Sequence, residues 1–184
     1  MKEIINEFIT SYLKFDFVLG CIIGLILLVA FLYVFKRRHP DEKIQTKEIV
    51  LAFVMSIYLV SILAGTLLNR TSGQEYGFEW QLFWSYLEAV RERDWRVALQ
   101  IVCNVVAFVP WGFLFPFVLD YTKRIKGMLI ITLGFSLLIE IIQIVFRCGL
   151  FEFDDIFHNT LGALIGYGLW KLVSKYRRKA MSNE

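Results

Sequence analysis

The chain has 184 residues, of which 57% are hydrophobic and 20% are charged, and its formal net charge is +3. Its mean hydropathy of +0.57 is too high for a soluble domain of this length. The basic residues lie in short segments between long apolar blocks, which argues against a nucleic-acid-binding face and is typical of a membrane topology. We therefore predict an all-α, multi-pass transmembrane helical bundle.

Five apolar segments have the length, or nearly the length, that a helix needs to cross a bilayer. The fifth begins directly after Asp154 and Asp155 and is marginally short. A basic run at 36–38 follows the first segment where a cleavage site would need small residues, so we expect that segment to remain as an anchor. We divide the chain into an N-terminal span with a basic loop, 1–48, and a membrane domain, 49–184. The predicted spans are 17–35, 49–68, 97–119, 127–146 and 156–173.

The basic residues predict the orientation of these spans. The segments that follow the first, third and fifth spans contain 13 of the 20 Lys and Arg residues. By the positive-inside rule, the N-terminus is outside and the C-terminus is cytoplasmic. We accordingly expect a multi-pass protein of a cell membrane.

The longest connection, 69–96, carries an apolar pattern of helical period. Trp80, Phe83, Trp84 and Leu87 recur at i, i+3, i+4 and i+7. This spacing predicts an amphipathic helix that lies on, or dips into, the outer membrane surface, where tryptophan is favoured.

Polar residues interrupt the fourth and fifth spans. Glu140, Gln143 and Arg147 stand at i, i+3 and i+7, and Asp155 and Asn159 stand at i and i+4, so each set lies on one helical face. Ionisable groups cost about 2.5–3.5 kcal/mol each at the centre of a bilayer, so they usually mark a functional interior.

Three features of the surrounding helices complete this prediction. Asp154 or Asp155 suits the N-cap of the fifth helix. Gly162 and Gly166 continue the face of Asp155 and Asn159, where they would let a neighbouring helix approach closely. Pro110 either kinks the third span beside Asn104 or is a tolerated helix proline.

The predicted topology collects the polar residues of four spans at the outer end of the protein. We predict that they form one site that opens to the extracellular side and contacts membrane lipids or a lipid-linked ligand. The candidate binding residues are Asn69, Arg70, Asn104, Glu140, Gln143, Arg147, Asp154, Asp155 and Asn159.

Two ordered motifs carry a family resemblance. The first is N-x-x-x-F-x-P-x-G, at Asn104, Phe108, Pro110 and Gly112; the second is E-x-x-Q followed by D-x-x-x-N-x-x-G, from Glu140 to Gly162. Over about 69–168 the chain resembles the VanZ-like family, and the first span and the 36–47 segment lie outside this resemblance. The resemblance implies a multi-pass bacterial membrane protein linked to resistance to glycopeptide antibiotics, teicoplanin in particular. It implies no established biochemical activity.

The residues leave several functions open. Glu140 and Arg147 could form a structural ion pair, or Glu140 and Asp155 could serve as acid and base in a membrane hydrolase or transferase acting on a cell-wall precursor. A small transporter is a further alternative, although the inner halves of the spans carry few polar residues. We expect no cofactor, no nucleic-acid partner and no metal, since the single nearby imidazole, His158, lies outside the family pattern. Cys21, Cys103 and Cys148 cannot all pair internally, and we interpret the first two as packing residues, with a Cys21–Cys103 bridge as a minor alternative.

Overall fold

The computed structural model describes residues 17–68, 77–93, 95–146 and 149–182. Within them the chain is all-α, apart from two strands of two residues each, which confirms the predicted fold class. The helices are α1 (Phe17–Arg38), α2 (Thr46–Leu63, continued by a π-helical turn at Ala64–Leu68), α3 (Trp84–Arg91), α4 (Trp95–Val118), a 3-10 turn (Asp120–Lys123), α5 (Ile125–Val145) and α6 (Phe153–Met181); the strands are β1 (Phe78–Glu79) and β2 (Phe151–Glu152).

Four helices among the described residues are long and apolar enough to cross a membrane, namely α1, α2, α4 and α5. They correspond to the first four predicted spans. The fifth predicted span lies within α6, which has 29 residues but does not reach the same apolarity. Polar side chains such as His158 and Asn159 lower its hydropathy, so a fifth span remains a prediction.

The chain divides into two compact units. The first, Met1–Gln74, contains α1 and α2, which pack against each other with Gly24 facing Val60. The peptide N–H of Gln45 donates to the Glu48 carboxylate at 2.8 Å and closes the first turn of α2. An open groove of about 410 Å³ runs between the two helices, lined by apolar side chains, two serines and Cys21.

The second unit, Glu75–Glu184, contains the other helices, and its core is the contact between α4 and α6. A Cβ atom on Gly162 would overlap the carbonyl oxygen of Val105, and one on Gly166 would overlap that of Val109. Because the residue numbers rise together along both helices, α4 and α6 are parallel. Gly112 of α4 faces the α6 backbone at Ala163 in the same way, so glycines on both helices permit the close approach.

Helix α4 contains Pro110 and Pro116 and continues through both as one helix, so the helix is not interrupted beside Asn104.

Helix α5 packs against α4 and α6 through polar as well as apolar contacts. The indole N–H of Trp111 on α4 donates to the Thr132 hydroxyl at 2.9 Å, and both residues are buried. The Trp111 ring also stacks on Phe115, with the ring centroids 3.9 Å apart, and on Phe135, at 4.4 Å. Trp111 thus joins two helices by a hydrogen bond and by ring packing.

This arrangement predicts different costs for two substitutions of Trp111. Trp111→Phe keeps most of the ring packing and loses the hydrogen bond, so we expect the free energy of unfolding to fall by about 1 kcal/mol. Trp111→Ala also removes the ring and should cost about 3–5 kcal/mol. Apparent thermal midpoints in detergent would rank the two variants; equal midpoints would contradict the assigned packing role.

The predicted amphipathic helix is shorter than its sequence pattern indicated. Trp80 and Phe83 precede α3 and are not helical, and Phe83 has a left-handed backbone with φ of 67°. Two tertiary contacts account for this. Strand β1 pairs in parallel with β2, which keeps Phe78 and Glu79 extended, and the peptide N–H of Phe83 donates to Asp154, 71 residues away.

Candidate functional site

Polar residues from α4, α5 and α6 come together at one end of the second unit. Five of the predicted site residues are buried there; Glu140 is only 1% exposed and Asp155 only 8%. Such burial is costly for polar groups unless they are hydrogen-bonded. The buried site residues are Glu140, Gln143, Asp154, Asp155 and Asn159.

Glu140 contacts the start of α6. Its Oε2 accepts a hydrogen bond of 2.9 Å from the peptide N–H of Glu152, the residue that precedes the first turn of α6. Free N–H groups at the start of a helix favour a nearby carboxylate. Glu140 therefore links the last third of α5 to the beginning of α6.

Asp155 and Asn159 contact different neighbouring helices. The side-chain amide of Asn104 on α4 donates to Asp155 Oδ1 at 2.5 Å. The side-chain amide of Asn159 donates to the Ser136 hydroxyl of α5 at 2.8 Å. The face of α6 that carries Asp155 and Asn159 is thus joined to both other long helices of the unit.

Asp154 caps a helix other than its own. Its Oδ1 accepts from the Phe83 peptide N–H at 2.5 Å, and its Oδ2 accepts from the Ser85 peptide N–H and the Ser85 hydroxyl, each at 2.8 Å. These donors lie at the N-terminus of α3, which has no cap from its own side chains. Asp154 is therefore the tertiary N-cap of α3.

The predicted N-cap role of Asp154 or Asp155 on their own helix is wrong. Helix α6 begins at Phe153 after Glu152, so both aspartates lie inside its first turn. That position still places their charge near the positive end of the helix dipole.

His158 and Tyr86 form a second contact between α6 and α3. His158 is fully buried, and its Nε2 lies 2.9 Å from the Tyr86 hydroxyl. Within the described part of the chain, the Nδ1 atom of His158 has no hydrogen-bond partner. Burial, and secondarily the nearby charge of Asp154, raise the pKa of the Tyr86 phenol. His158, which lies outside the family motifs, therefore joins α6 to α3 at this site.

Three of the predicted site residues, Asn69, Arg70 and Arg147, lie outside the described residues, as does Cys148. The proposed Glu140–Arg147 pair is therefore left as a prediction. Cys21 and Cys103 are free thiols.

No group of three or more His, Cys, Asp or Glu side chains with metal-binding geometry is found among the described residues. Asp154, which is four residues from His158, directs its two carboxylate oxygens at donors at the start of α3. What the arrangement offers chemically is a pair of buried carboxylates, Glu140 and Asp155, beside side-chain amides.

Sequence reasoning missed the partners of the predicted residues. Ser136 stands four residues before Glu140 and so shares its helical face, a signal that was available. Ser85 and Tyr86 had no such signal, because their partners lie about 70 residues away on another helix.

The fold and this polar cluster define a helical membrane protein whose buried polar residues converge at one end of three packed helices. The chain belongs to the VanZ/LLP1 family, whose family model matches residues 21–174. This match is wider than the motif resemblance, since it includes most of the first span and the basic segment after it. Neither the comparison with curated proteins nor the one with solved structures found a match.

Proposed function

We propose that this VanZ/LLP1 protein contributes to resistance to teicoplanin, a lipoglycopeptide, through the polar cluster of α4, α5 and α6. The cluster would bind a lipid-linked ligand, either the acylated antibiotic or a cell-wall precursor. The observation that carries the proposal is the convergence of both family motifs: Asn104 of the first motif donates to Asp155 of the second, while Glu140 binds the start of the same helix.

The packing supports a location of this cluster within the membrane. Helix α4 has the length and apolarity of a span, and α6 lies parallel to it and in close contact from Gly162 to Gly166. A helix packed along a membrane span lies at the same depth, so α6 would be the fifth span despite its lower hydropathy. The side chains of Asp155 and Asn159 on α6 hydrogen-bond with α4 and α5, as polar groups inside a membrane require.

The charge distribution supports an outward-facing cluster. The hydroxyl of Tyr167 donates to the carbonyl oxygen of Lys123, so the middle of α6 lies near the basic turn that follows α4. That turn is cytoplasmic by the positive-inside rule, and the cluster lies toward the opposite end of α4. The N-terminus would then be outside and the C-terminus in the cytoplasm.

The proposal predicts loss of protection when either carboxylate is neutralised. We expect Glu140→Gln and Asp155→Asn, expressed in a susceptible host, to return teicoplanin susceptibility to the level of cells without the protein. Asp120→Asn serves as a matched control, because Asp120 is an exposed carboxylate in the turn after α4. Susceptibility to teicoplanin and vancomycin would be measured side by side, with membrane expression of each variant quantified.

Full protection by both variants, at wild-type expression, would contradict the proposal. No change of teicoplanin susceptibility with the unaltered protein would contradict it as well. A chemically altered lipid or precursor that depends on Glu140 would instead favour the enzymatic alternative.

A further inference from the structure

Helix α3 exposes large apolar side chains and buries a polar one. Its inner side presents Ser85, which is buried and bonded to Asp154. Its outer side presents Leu87 and Val90, which are 54% and 79% exposed. A helix of a soluble protein buries its apolar stripe and exposes its polar one, so this pattern indicates an apolar environment outside α3.

The apolar surface extends to the residues that precede α3. Phe78 and Trp80 stack with their ring centroids 5.2 Å apart and their planes at 7°, and both remain more than half exposed. Trp80 also contacts the rings of Phe151 and Phe153, which precede and begin α6. This ordered aromatic surface is fixed to the unit on one side and open on the other.

The neighbouring helix identifies what covers this surface. Helix α4 begins at Trp95, four residues after α3 ends, and its own outward side chains Leu99 and Val102 are also exposed. Since α4 has the character of a span, we expect its exposed apolar side chains to face lipid, and α3 packs directly against α4. Tryptophan and tyrosine rings are favoured at the headgroup level of a bilayer.

We infer that residues 78–90 form a membrane-interface surface, defined by Phe78, Trp80, Leu87 and Val90, that inserts among the lipids of the leaflet in which the polar cluster lies. Asp154 and His158 hold its inner side to α6, and lipid covers its outer side. This inference concerns lipid contact alone and does not depend on the antibiotic or on the ligand of the cluster.

Spin-label accessibility tests this inference on the full chain in phosphatidylcholine–phosphatidylglycerol vesicles. Single cysteines at Leu87 and Val90 would be introduced into a background with Cys21→Ser, Cys103→Ser and Cys148→Ser, and then labelled with a nitroxide. Ile130→Cys, an exposed position within α5, is the lipid control, and Lys43→Cys, in the loop after α1, is the water control. Collisions with oxygen, which concentrates in lipid, and with a water-soluble nickel complex would be measured at each site.

We expect the oxygen-to-nickel collision ratio at Leu87 and Val90 to approach that of Ile130 and to exceed that of Lys43 by about fivefold or more. A ratio equal to that of Lys43 would show that the surface faces water and would overturn the inference. Low collision with both reagents would show a protein contact in place of lipid and would also overturn it. An unchanged elution volume in size-exclusion chromatography in detergent verifies that each labelled variant is folded. The collision ratio is measured independently of any change in antibiotic susceptibility.

Discussion

Gly166→Ala should destabilise the protein, whereas Gly168→Ala, two residues away on the same helix, should not. A Cβ atom on Gly166 would overlap the Val109 carbonyl oxygen, and a backbone atom cannot move aside as a side chain can. The α4 and α6 backbones would have to move apart, and we expect this to lower the free energy of unfolding by about 3 kcal/mol or more. At Gly168 nothing lies within 4 Å of the added atom, and alanine is a better helix former than glycine by about 0.8–1.0 kcal/mol.

The measurement is the apparent thermal midpoint of each variant in detergent, followed by size-exclusion chromatography. The midpoint of Gly166→Ala should fall, and that of Gly168→Ala should stay equal or rise. Gly162→Ala and Gly112→Ala should behave like Gly166→Ala, since each places a Cβ against the backbone of the partner helix. Equal midpoints for Gly166→Ala and Gly168→Ala would refute the close helix contact.

Asp154→Ala should release the segment that precedes and contains α3. The substitution removes the acceptor of three hydrogen bonds and leaves the N-terminus of α3 uncapped. Hydrogen bonds to a charged group contribute about 1.5–3 kcal/mol, and loss of an N-cap about 0.5–2 kcal/mol. If the free energy of local unfolding falls by about 1.4–2.8 kcal/mol, the amide exchange rate in residues 77–91 should rise by about 10- to 100-fold.

Hydrogen–deuterium exchange with mass spectrometry would measure this release in lipid nanodiscs. Asp154→Asn keeps one acceptor oxygen and should show a smaller increase. Asp120→Asn, at an exposed carboxylate after α4, should leave exchange in residues 77–91 unchanged. If exchange in that segment were the same in Asp154→Ala and in the unaltered protein, Asp154 would not hold α3 in place.

The release of α3 also separates two interpretations of Asp154. As a ligand-binding residue, Asp154 would affect antibiotic protection without changing the exchange of 77–91. If Asp154 is instead the N-cap of α3, its substitution would raise amide exchange in residues 77–91. Any loss of antibiotic protection would then result from the altered segment. The geometry favours the second role, because both of its carboxylate oxygens accept hydrogen bonds from the chain itself.

The class of protein and the positions of four helices that are long and apolar enough to cross a membrane could be predicted from the sequence. Hydropathy and helical period are local properties, so an uncharged block of about 20 residues identifies a span wherever it later packs. Sequence spacing alone also predicted that Glu140 and Gln143 share one face of α5, and that Asp155 and Asn159 share one face of α6. Sequence reasoning failed where a local pattern competed with a distant contact, as at Trp80 and Phe83, which the aromatic spacing predicted to be helical.

Which group each polar residue binds depends on how the helices pack and could not be predicted from the sequence. Asp154 and Asp155 are adjacent, share a chemistry and both lie in the first turn of α6, yet one caps α3 and the other accepts from Asn104. Successive residues of a helix point about 100° apart, so neighbours in sequence face different helices once the unit has packed. Their partners lie 51 to 71 residues away, and no periodicity within α6 encodes them.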